Sequence, residues 1–596
     1  MKKPNVTFLT DAQLKEEFNR CENCAEKPCR EACPAGCSPA DFIMAARVGL
    51  PSDYKRAAAL IMTHNPLGGV CGAVCPDFHC MKACSHRGFD HPVNIPAVQA
   101  TLIQKAKDLG VMPSLERARP NGKKVAVIGA GPAGLAAAAM LAQKGFAAEV
   151  FERDCKAGGM CNLIPDHRLD KQVLKSDLDW LEARTGLKLH LSSPVAKPSS
   201  LLEQGFEAVV VSTGQDAPYQ LGIPGEDKAV DWISFLNQPG DLQGRRVAVV
   251  GGGAVAVDCA AVARKKGAAV EMFCLETLPE MPLTGAERAE LLDEGIAVTG
   301  RTKCTGIVVE GGQVKGLRTM RVVLPEGKAF HPRNMVDDAA AGAYTLAFDA
   351  VVIAIGARGA MAREDARGIF HTGDLANGPT TVVEAAAAGK NTALAVEAFL
   401  LGRPAPAADR PTRNAVPLPG GILKPVCIES DFFGRKLRSP FLLSAAPPSD
   451  GYDQMKKAYE AGWAGGVMKT CFDGVPIHIP AEYMFQITEK TYANCDNVSG
   501  HPMDRVCEEV RRLVAEYPDR LTMASTGGPV TGDDAHDKAG WQANTKKLEA
   551  CGVMGIEYSL SCPQGGDGTK GDIVSQDAEL TAKIIDWVME VSDPGI

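Results

Sequence analysis

Two copies of one local pattern, roughly 120 residues apart, constrain this chain more than anything else in it. Each is an apolar strand that runs into a glycine-rich turn and then an alanine-rich helix. The first is Lys124-Val-Ala-Val-Ile-Gly129-Ala-Gly131-Pro132-Ala133-Gly134, the second Arg246-Val-Ala-Val-Val-Gly251-Gly-Gly253-Ala254-Val-Ala256. Glycines at these positions let the backbone approach a pyrophosphate, and the helix N-terminus attracts its charge. Two stacked α/β nucleotide-binding domains of the Rossmann type are expected.

After the first turn the next strand ends in Glu152, an acid where a ribose hydroxyl would sit, and Gly159 follows. Near the far end stands Phe370-His-Thr-Gly373-Asp374-Leu, then Thr381. A Gly-Asp of this kind commonly holds the ribityl chain in flavoproteins with two dinucleotide domains. Gly129, Gly131, Pro132, Ala133, Gly134, Glu152, Gly159, Arg168, Gly373, Asp374 and Thr381 are therefore the candidate FAD set. In the second copy Gly251, Gly253, Ala254 and Ala256 form a GxGxxA turn for a nicotinamide dinucleotide, and Glu276 follows its second strand. An NADP site wants an arginine near there for the 2′-phosphate. A carboxylate accepts from the 2′-OH of NADH and repels a phosphate, so NADH is expected over NADPH.

Of the 20 cysteines, nine fall between Cys21 and Cys84. Eight of the nine, all but Cys37, read Cys21-x2-Cys24-x4-Cys29-x3-Cys33-Pro34 and Cys71-x3-Cys75-Pro76-x3-Cys80-x3-Cys84. Thiolates are soft donors that suit iron–sulfur clusters or zinc. A Cys-Pro in each run is typical where one cysteine crosses to a second cluster. Two [4Fe–4S] clusters are expected, with a pair of zinc sites as the alternative, since zinc favours tighter pairs or histidine. A flavin downstream also gives one-electron centres a use.

Lys+Arg is 64 and Asp+Glu is 72, a net charge of −8, which argues against a nucleic-acid partner. No run of about 18 apolar residues is present, so no membrane span is expected. The first 20 residues lack the apolar core of a secretory signal. A cytoplasmic location follows as an expectation, and there dense thiols point to metal rather than disulfides.

The pattern along the chain predicts a helical double-cluster domain over 1–111, an FAD domain over 122–240 and 350–401, and a nucleotide domain over 241–349. A proline-rich linker is expected over 402–424. From Phe441 onward strands and helices alternate, which implies a parallel sheet or a barrel.

At this point the residues resemble the dihydropyrimidine dehydrogenase family. Residues 1–401, with their cysteine pattern, are also similar to the glutamate synthase small subunit group. Pro440-Phe-Leu-Leu-Ser444-Ala445-Ala-Pro, Gly462-Trp-Ala-Gly-Gly-Val-Met-Lys469-Thr470 and Ser559-Leu-Ser561-Cys562-Pro resemble the FMN barrel of the dehydrogenase, so 425–596 would be the N-terminal half of a (β/α)8 barrel. The resemblance implies one cluster on Cys21, Cys24, Cys29 and Cys84, and another on Cys33, Cys75, Cys80 and Gln99, with Cys37 and Cys71 as bystanders. It implies FMN contacts from Ser444, Ala445, Lys469 and Thr470, and pyrimidine contacts from Asn494, Ser559 and Ser561. Cys562 would donate a proton to one carbon of the C5=C6 bond while hydride reaches the other.

Two departures stand out. The family has asparagine where this chain has Ser559, which unsettles uracil or thymine as substrate, because sites that hydrogen-bond their substrate discriminate by large factors. The barrel also stops after about four βα units, where closure needs eight. A second polypeptide or a further C-terminal segment is expected to complete it. Alone, the chain is expected to bind FMN weakly, and its open edge invites self-association into a homo-oligomer. The function expected is transfer of electrons from NAD(P)H through FAD and clusters to FMN and a pyrimidine. The alternative is an electron-transfer subunit that serves a partner protein.

Overall fold

The computed structural model describes residues 8–421, 427–473, 484–488, 491–494, 498–561 and 573–596. The chain divides into two compact units, 1–423 and 424–596.

Unit one begins with short helices: Asp11–Asn19, Pro28–Glu31, Pro39–Ala46, Pro51–His64, Gly68–Val74 and Ile95–Asp108. Thr10 starts the first through a capping box with Gln13, and proline at the first turn starts four of the others. Phe42, Ile61, Val98 and Leu102 pack beneath them. This core runs without a break into Val125, Val127 and Leu135 of the first nucleotide fold. No single described helix is long and apolar enough to cross a membrane.

Two five-stranded parallel sheets follow. The first has the order Ile369–His371, Ala208–Val211, Lys124–Ile128, Ala147–Phe151, Lys188–His190. The second has the order Val230–Asp231, Ala350–Ile353, Arg246–Val250, Ala269–Phe273, Ala297–Thr299. Their central strands are valine-rich and buried on both faces, as parallel strands covered by helices must be. A four-stranded antiparallel sheet built on the hairpin Thr302–Glu310 and Gln313–Val323 is appended to the second domain.

Two boundaries differ from the sequence reading. The apolar strand Ala350–Ile353 and the short strand Val230–Asp231 join the second sheet, not the first. The chain changes sheet where Ala217–Pro218 pairs antiparallel with Ala357–Arg358. A buried apolar strand reads alike in either sheet, so periodicity cannot assign it. The proline-rich segment after residue 401 is also no free linker over its last part. Leu418 is fully buried and donates its N–H to Thr63 O at 2.7 Å. Asn414 donates likewise to Pro34 O at 2.8 Å. At Gly420 (φ +79°) a Cβ would lie 1.8 Å from Glu116 O, so only glycine lets this strap meet the earlier Pro-bearing segment.

Unit two holds a four-stranded parallel sheet in chain order: Leu442–Leu443, Gly465–Cys471, Leu521–Thr526, Ile556–Tyr558. Helices Tyr452–Glu460, Met503–Glu516 and Asp534–Glu549 connect the strands, and Ala578–Met589 follows the last. Met455, Tyr459, Met468, Val510 and Leu513 form the core between sheet and helices. Among the described residues no sheet closes into a barrel.

Candidate functional site

The first glycine turn is tight for steric reasons. Gly129 has φ +100°, and a Cβ there would sit 2.7 Å from Ser212 O. A Cβ on Gly134 would sit 2.0 Å from Gly129 O and 2.5 Å from Ser212 Oγ. Ser212 secures the turn by donating to Ile128 O at 2.8 Å. Pro132 occupies the first turn of the helix that starts after Gly131, which leaves the helix N-terminus open to an anion. Glu152 is buried, and its carboxylate accepts from Ala130 N–H at 2.7 Å and Asp154 N–H at 3.0 Å. Gly159 folds over Gly131.

The Gly373-Asp374 pair reaches the same turn through helix packing. A Cβ on Gly389 would lie 2.0 Å from Ala133 O, so helices Pro132–Gln143 and Val382–Leu400 cross backbone to backbone. Gly373 consequently sits against Ala133. Asp374 accepts from Thr380 Oγ1 at 2.6 Å, and burial raises its pKa. Thr381 caps the long helix in a capping box with Glu384.

Arg168 is engaged elsewhere. Its guanidinium donates to Asp258 at 2.6 Å and to Glu287 at 2.9 Å, both on helices of the nucleotide domain. Next to it His167 and Lys265 share Glu290 at 2.6 and 3.1 Å. The structure thus shows Arg168 as a tie between the two nucleotide folds.

At the second turn Gly251 (φ +143°) faces Ala354 O. Ala254 and Ala256 open the helix Ala254–Lys265 behind Gly253. Glu276 reaches back over the turn: a Cβ on Gly252 would be 2.5 Å from its Oε2. The nearby Arg301 is already committed, to Leu275 O at 2.9 Å and Glu280 at 2.7 Å. No spare cation from this arginine answers a 2′-phosphate. Replacing Glu276 with arginine should shift the NADPH/NADH ratio of kcat/KM at least about tenfold toward NADPH, the effect of roughly 1.4 kcal/mol. Steady-state kinetics with both nucleotides measure it, and an unchanged ratio would remove Glu276 from nucleotide selection.

One cavity of about 2690 Å³ joins these parts. Its walls include Gly129, Glu152 and Asp374 beside the first glycine turn, Gly251 and Glu276 beside the second, and Cys75 of the helical domain.

The cysteines near the N-terminus fall into two neighbourhoods. Cys24 and Cys84 lie close enough to disfavour ionisation of Cys21, and Cys21 and Cys84 that of Cys29. Burial, foremost, raises Cys21 and Cys29. Cys33 and Cys75 form the other, with Cys37 and Cys71 beside them, and Cys80 stands between the two, facing both Cys33 and Cys29. A hydrogen bond from Cys37 lowers Cys33 to about 7, while burial drives Cys80 up. All described cysteines are free thiols. Gln99 is buried and donates to Gly68 O at 2.7 Å. Among the described residues no three Cys, His, Asp or Glu groups converge as on a single metal ion. Grouped cysteines are what a polynuclear iron–sulfur cluster needs, since it takes thiolates at its corners.

In unit two Ser444, Ala445, Lys469, Thr470 and Ser559 all lie at C-terminal ends of parallel strands, where barrel sites are built. Between Met468 and Cys471 the ladder shifts register, so Lys469 and Thr470 form a bulge opposite Ser525. Bulges of this sort re-aim side chains next to sites. Both residues are buried, and Thr470 Oγ1 meets Ser525 Oγ at 2.8 Å. Ser559 is buried and Ser561 exposed. Asn494 ends the strand Thr491–Asn494. Its side chain, and Cys562 altogether, lie outside the described residues.

Comparison with known proteins agrees with this geometry over unit one. The family "Pyridine nucleotide-disulphide oxidoreductase" matches residues 123–389, and "Dihydropyrimidine dehydrogenase domain II, 4Fe-4S cluster" matches 3–111. Over unit one the chain is thus similar to iron–sulfur oxidoreductases that use a pyridine nucleotide. The NADP(+)-dependent formate dehydrogenase subunit beta of Moorella thermoacetica is 30% identical over 63% of this chain and 60% of its own length. The chain thus spans less than two thirds of that relative. The NAD-dependent dihydropyrimidine dehydrogenase subunit PreT of Escherichia coli O157:H7 is 29% identical over 65% of this chain and 94% of its own. The glutamate synthase [NADPH] small chain of Mycobacterium tuberculosis H37Rv is 28% identical over 68% and 92%. Sequence reasoning missed Ser212, whose hydroxyl anchors the first glycine turn, and the partners of Arg168. A serine just past a buried strand offers little signal of that role.

Proposed function

We propose that the chain is the electron-input subunit of a pyridine-nucleotide-dependent oxidoreductase. It oxidises NADH at one end of the cavity in unit one and delivers single electrons through thiolate-held [4Fe–4S] clusters to an acceptor. The observation that carries this reading is that single cavity, walled by both glycine turns and by Cys75. FAD supplies the conversion of a two-electron donor to one-electron transfer. Gly129, Gly131 and Gly134 would hold its pyrophosphate, Glu152 a ribose, and Asp374 the ribityl chain. One cluster would sit on Cys21, Cys24, Cys29 and Cys84. The other, on Cys33, Cys75, Cys80 and Gln99, would stand nearer the flavin, since Cys75 lines the cavity.

A second reading is favoured by the four ordered strands of unit two and the bulge at Lys469–Thr470. There FMN would bind at the strand ends, and a uracil-like pyrimidine would be reduced, with Cys562 as proton donor. The end strands Leu442–Leu443 and Ile556–Tyr558 pair on one side only among the described residues. A second polypeptide or further chain that adds strands would complete the site.

Anaerobic purification with flavin, iron and sulfide analysis separates the readings. FAD without FMN, NADH–dye activity and no uracil-dependent NADH oxidation are expected for the first. Equal FAD and FMN with uracil-dependent oxidation would establish the second. A colourless protein without sulfide would overturn both.

A further inference from the structure

We propose that Lys390, assisted by Cys37, sets the reduction potential of the cluster on Cys33, Cys75 and Cys80 and raises it above that of the other cluster. The proposal rests on the reading above that these thiols hold a cluster. Lys390 lies in the helix Val382–Leu400, whose first turn leads from the flavin side of the cavity. It is fully buried. Its ammonium donates to His64 O at 2.8 Å, Asn414 O at 3.0 Å and Ala35 O at 3.5 Å. These partners are neutral carbonyls, and lysine is almost never fully buried unless paired with a charge. The ionisable groups it faces are Cys33, Cys37 and His64. A cluster held by three thiolates would supply the missing negative charge.

Cys37 adds a second contribution. It is buried and packs beside Cys33, its thiol 3.8 Å from Ile61 O, and rotation of that S–H toward a Cys33 thiolate would make it a donor to the ligand sulfur. Hydrogen bonds to ligand sulfurs and net charge nearby are the levers that tune such centres. Both a buried cation and an S–H donor favour the reduced, more negative cluster. The other thiol group is placed differently: Cys21 faces the exposed Arg47, whose charge water screens. The inner cluster would then be the better electron acceptor beside the flavin, and onward transfer would depend on the final acceptor.

An anaerobic redox titration of the holoenzyme, followed by electron paramagnetic resonance, tests this. Lys390→Met should lower the midpoint of one cluster by at least tenfold in its one-electron reduction equilibrium, about 59 mV. The second cluster should stay in place as internal reference, and Lys390→Arg should restore the wild-type value. Cys37→Ala, a small change that leaves Lys390 in place, should lower the same midpoint by a lesser amount, and it serves if Lys390→Met does not fold. Unchanged midpoints in both variants, or an equal shift of both clusters, would overturn the proposal and leave Lys390 as a structural tie. Wild-type protein with no cluster signal would instead overturn the underlying reading.

Discussion

Gly134→Val should yield a protein that no longer retains FAD and has lost NADH–dye activity by at least about a hundredfold, the scale of effect when a reacting group is displaced by an ångström. The cause is local. A side chain at 134 would start with its Cβ 2.0 Å from Gly129 O and 2.5 Å from Ser212 Oγ. Neither atom is the free end of a flexible chain: one is backbone, the other is held by its bond to Ile128 O. The turn must move outward, and the amides at the start of helix Pro132–Gln143 move with it. Those amides are what a pyrophosphate would bind. Overpacking adds roughly 1–3 kcal/mol of destabilisation. Flavin absorbance at constant protein concentration measures the first effect and thermal melting the second. Full flavin content in a folded variant would mean that the dinucleotide does not use this turn.

How much of this was legible beforehand depends on how local the signal is. The glycine turns and the cysteine runs are legible because a few adjacent residues carry all the geometry. The assignment of Ala350–Ile353 was not, because four buried aliphatic residues fit the middle of either parallel sheet. Its place follows from register with Val247–Val250, a long-range fact. Residues 402–424 read as linker from their prolines, yet Leu418 and Asn414 are buried and donate to Thr63 O and Pro34 O of the distant N-terminal segment. Lys390 looks like a solvated position in an alanine-rich helix. Only the strap and the loop after Pro34 show that its face is enclosed. In unit two, alternation gave strand order but could not say what closes the sheet.

Arg168 tests the same lesson with a sharp outcome, because sequence reading and structure assign it different work. If it contacts FAD, Arg168→Met should lose flavin. If it ties the two nucleotide folds, flavin should stay while stability falls. The structure supports the second result. Asp258 and Glu287 are buried, and the guanidinium lies within 2.6 and 2.9 Å of them. Removing the cation leaves Asp258 enclosed without its ion-pair partner and Glu287 with only its capping bond from Thr284 N–H, an effect of about 3–5 kcal/mol in comparable sites. Burial pushes the carboxyl of Asp258 up to about 6 even with Arg168 beside it. The folded value is thus above the unfolded one, near 3.9. The folded state holds the proton more tightly, so this group's contribution to stability is complete below the unfolded value and is lost as pH rises through about 6. Without Arg168 that loss should move to higher pH and deepen. The gap in thermal midpoint between wild type and Arg168→Met should therefore be several degrees at pH 8 and narrow toward pH 5. Asp258→Asn in the same background should recover part of the gap at pH 8. A variant that melts like wild type at every pH but purifies without flavin would return Arg168 to the cofactor.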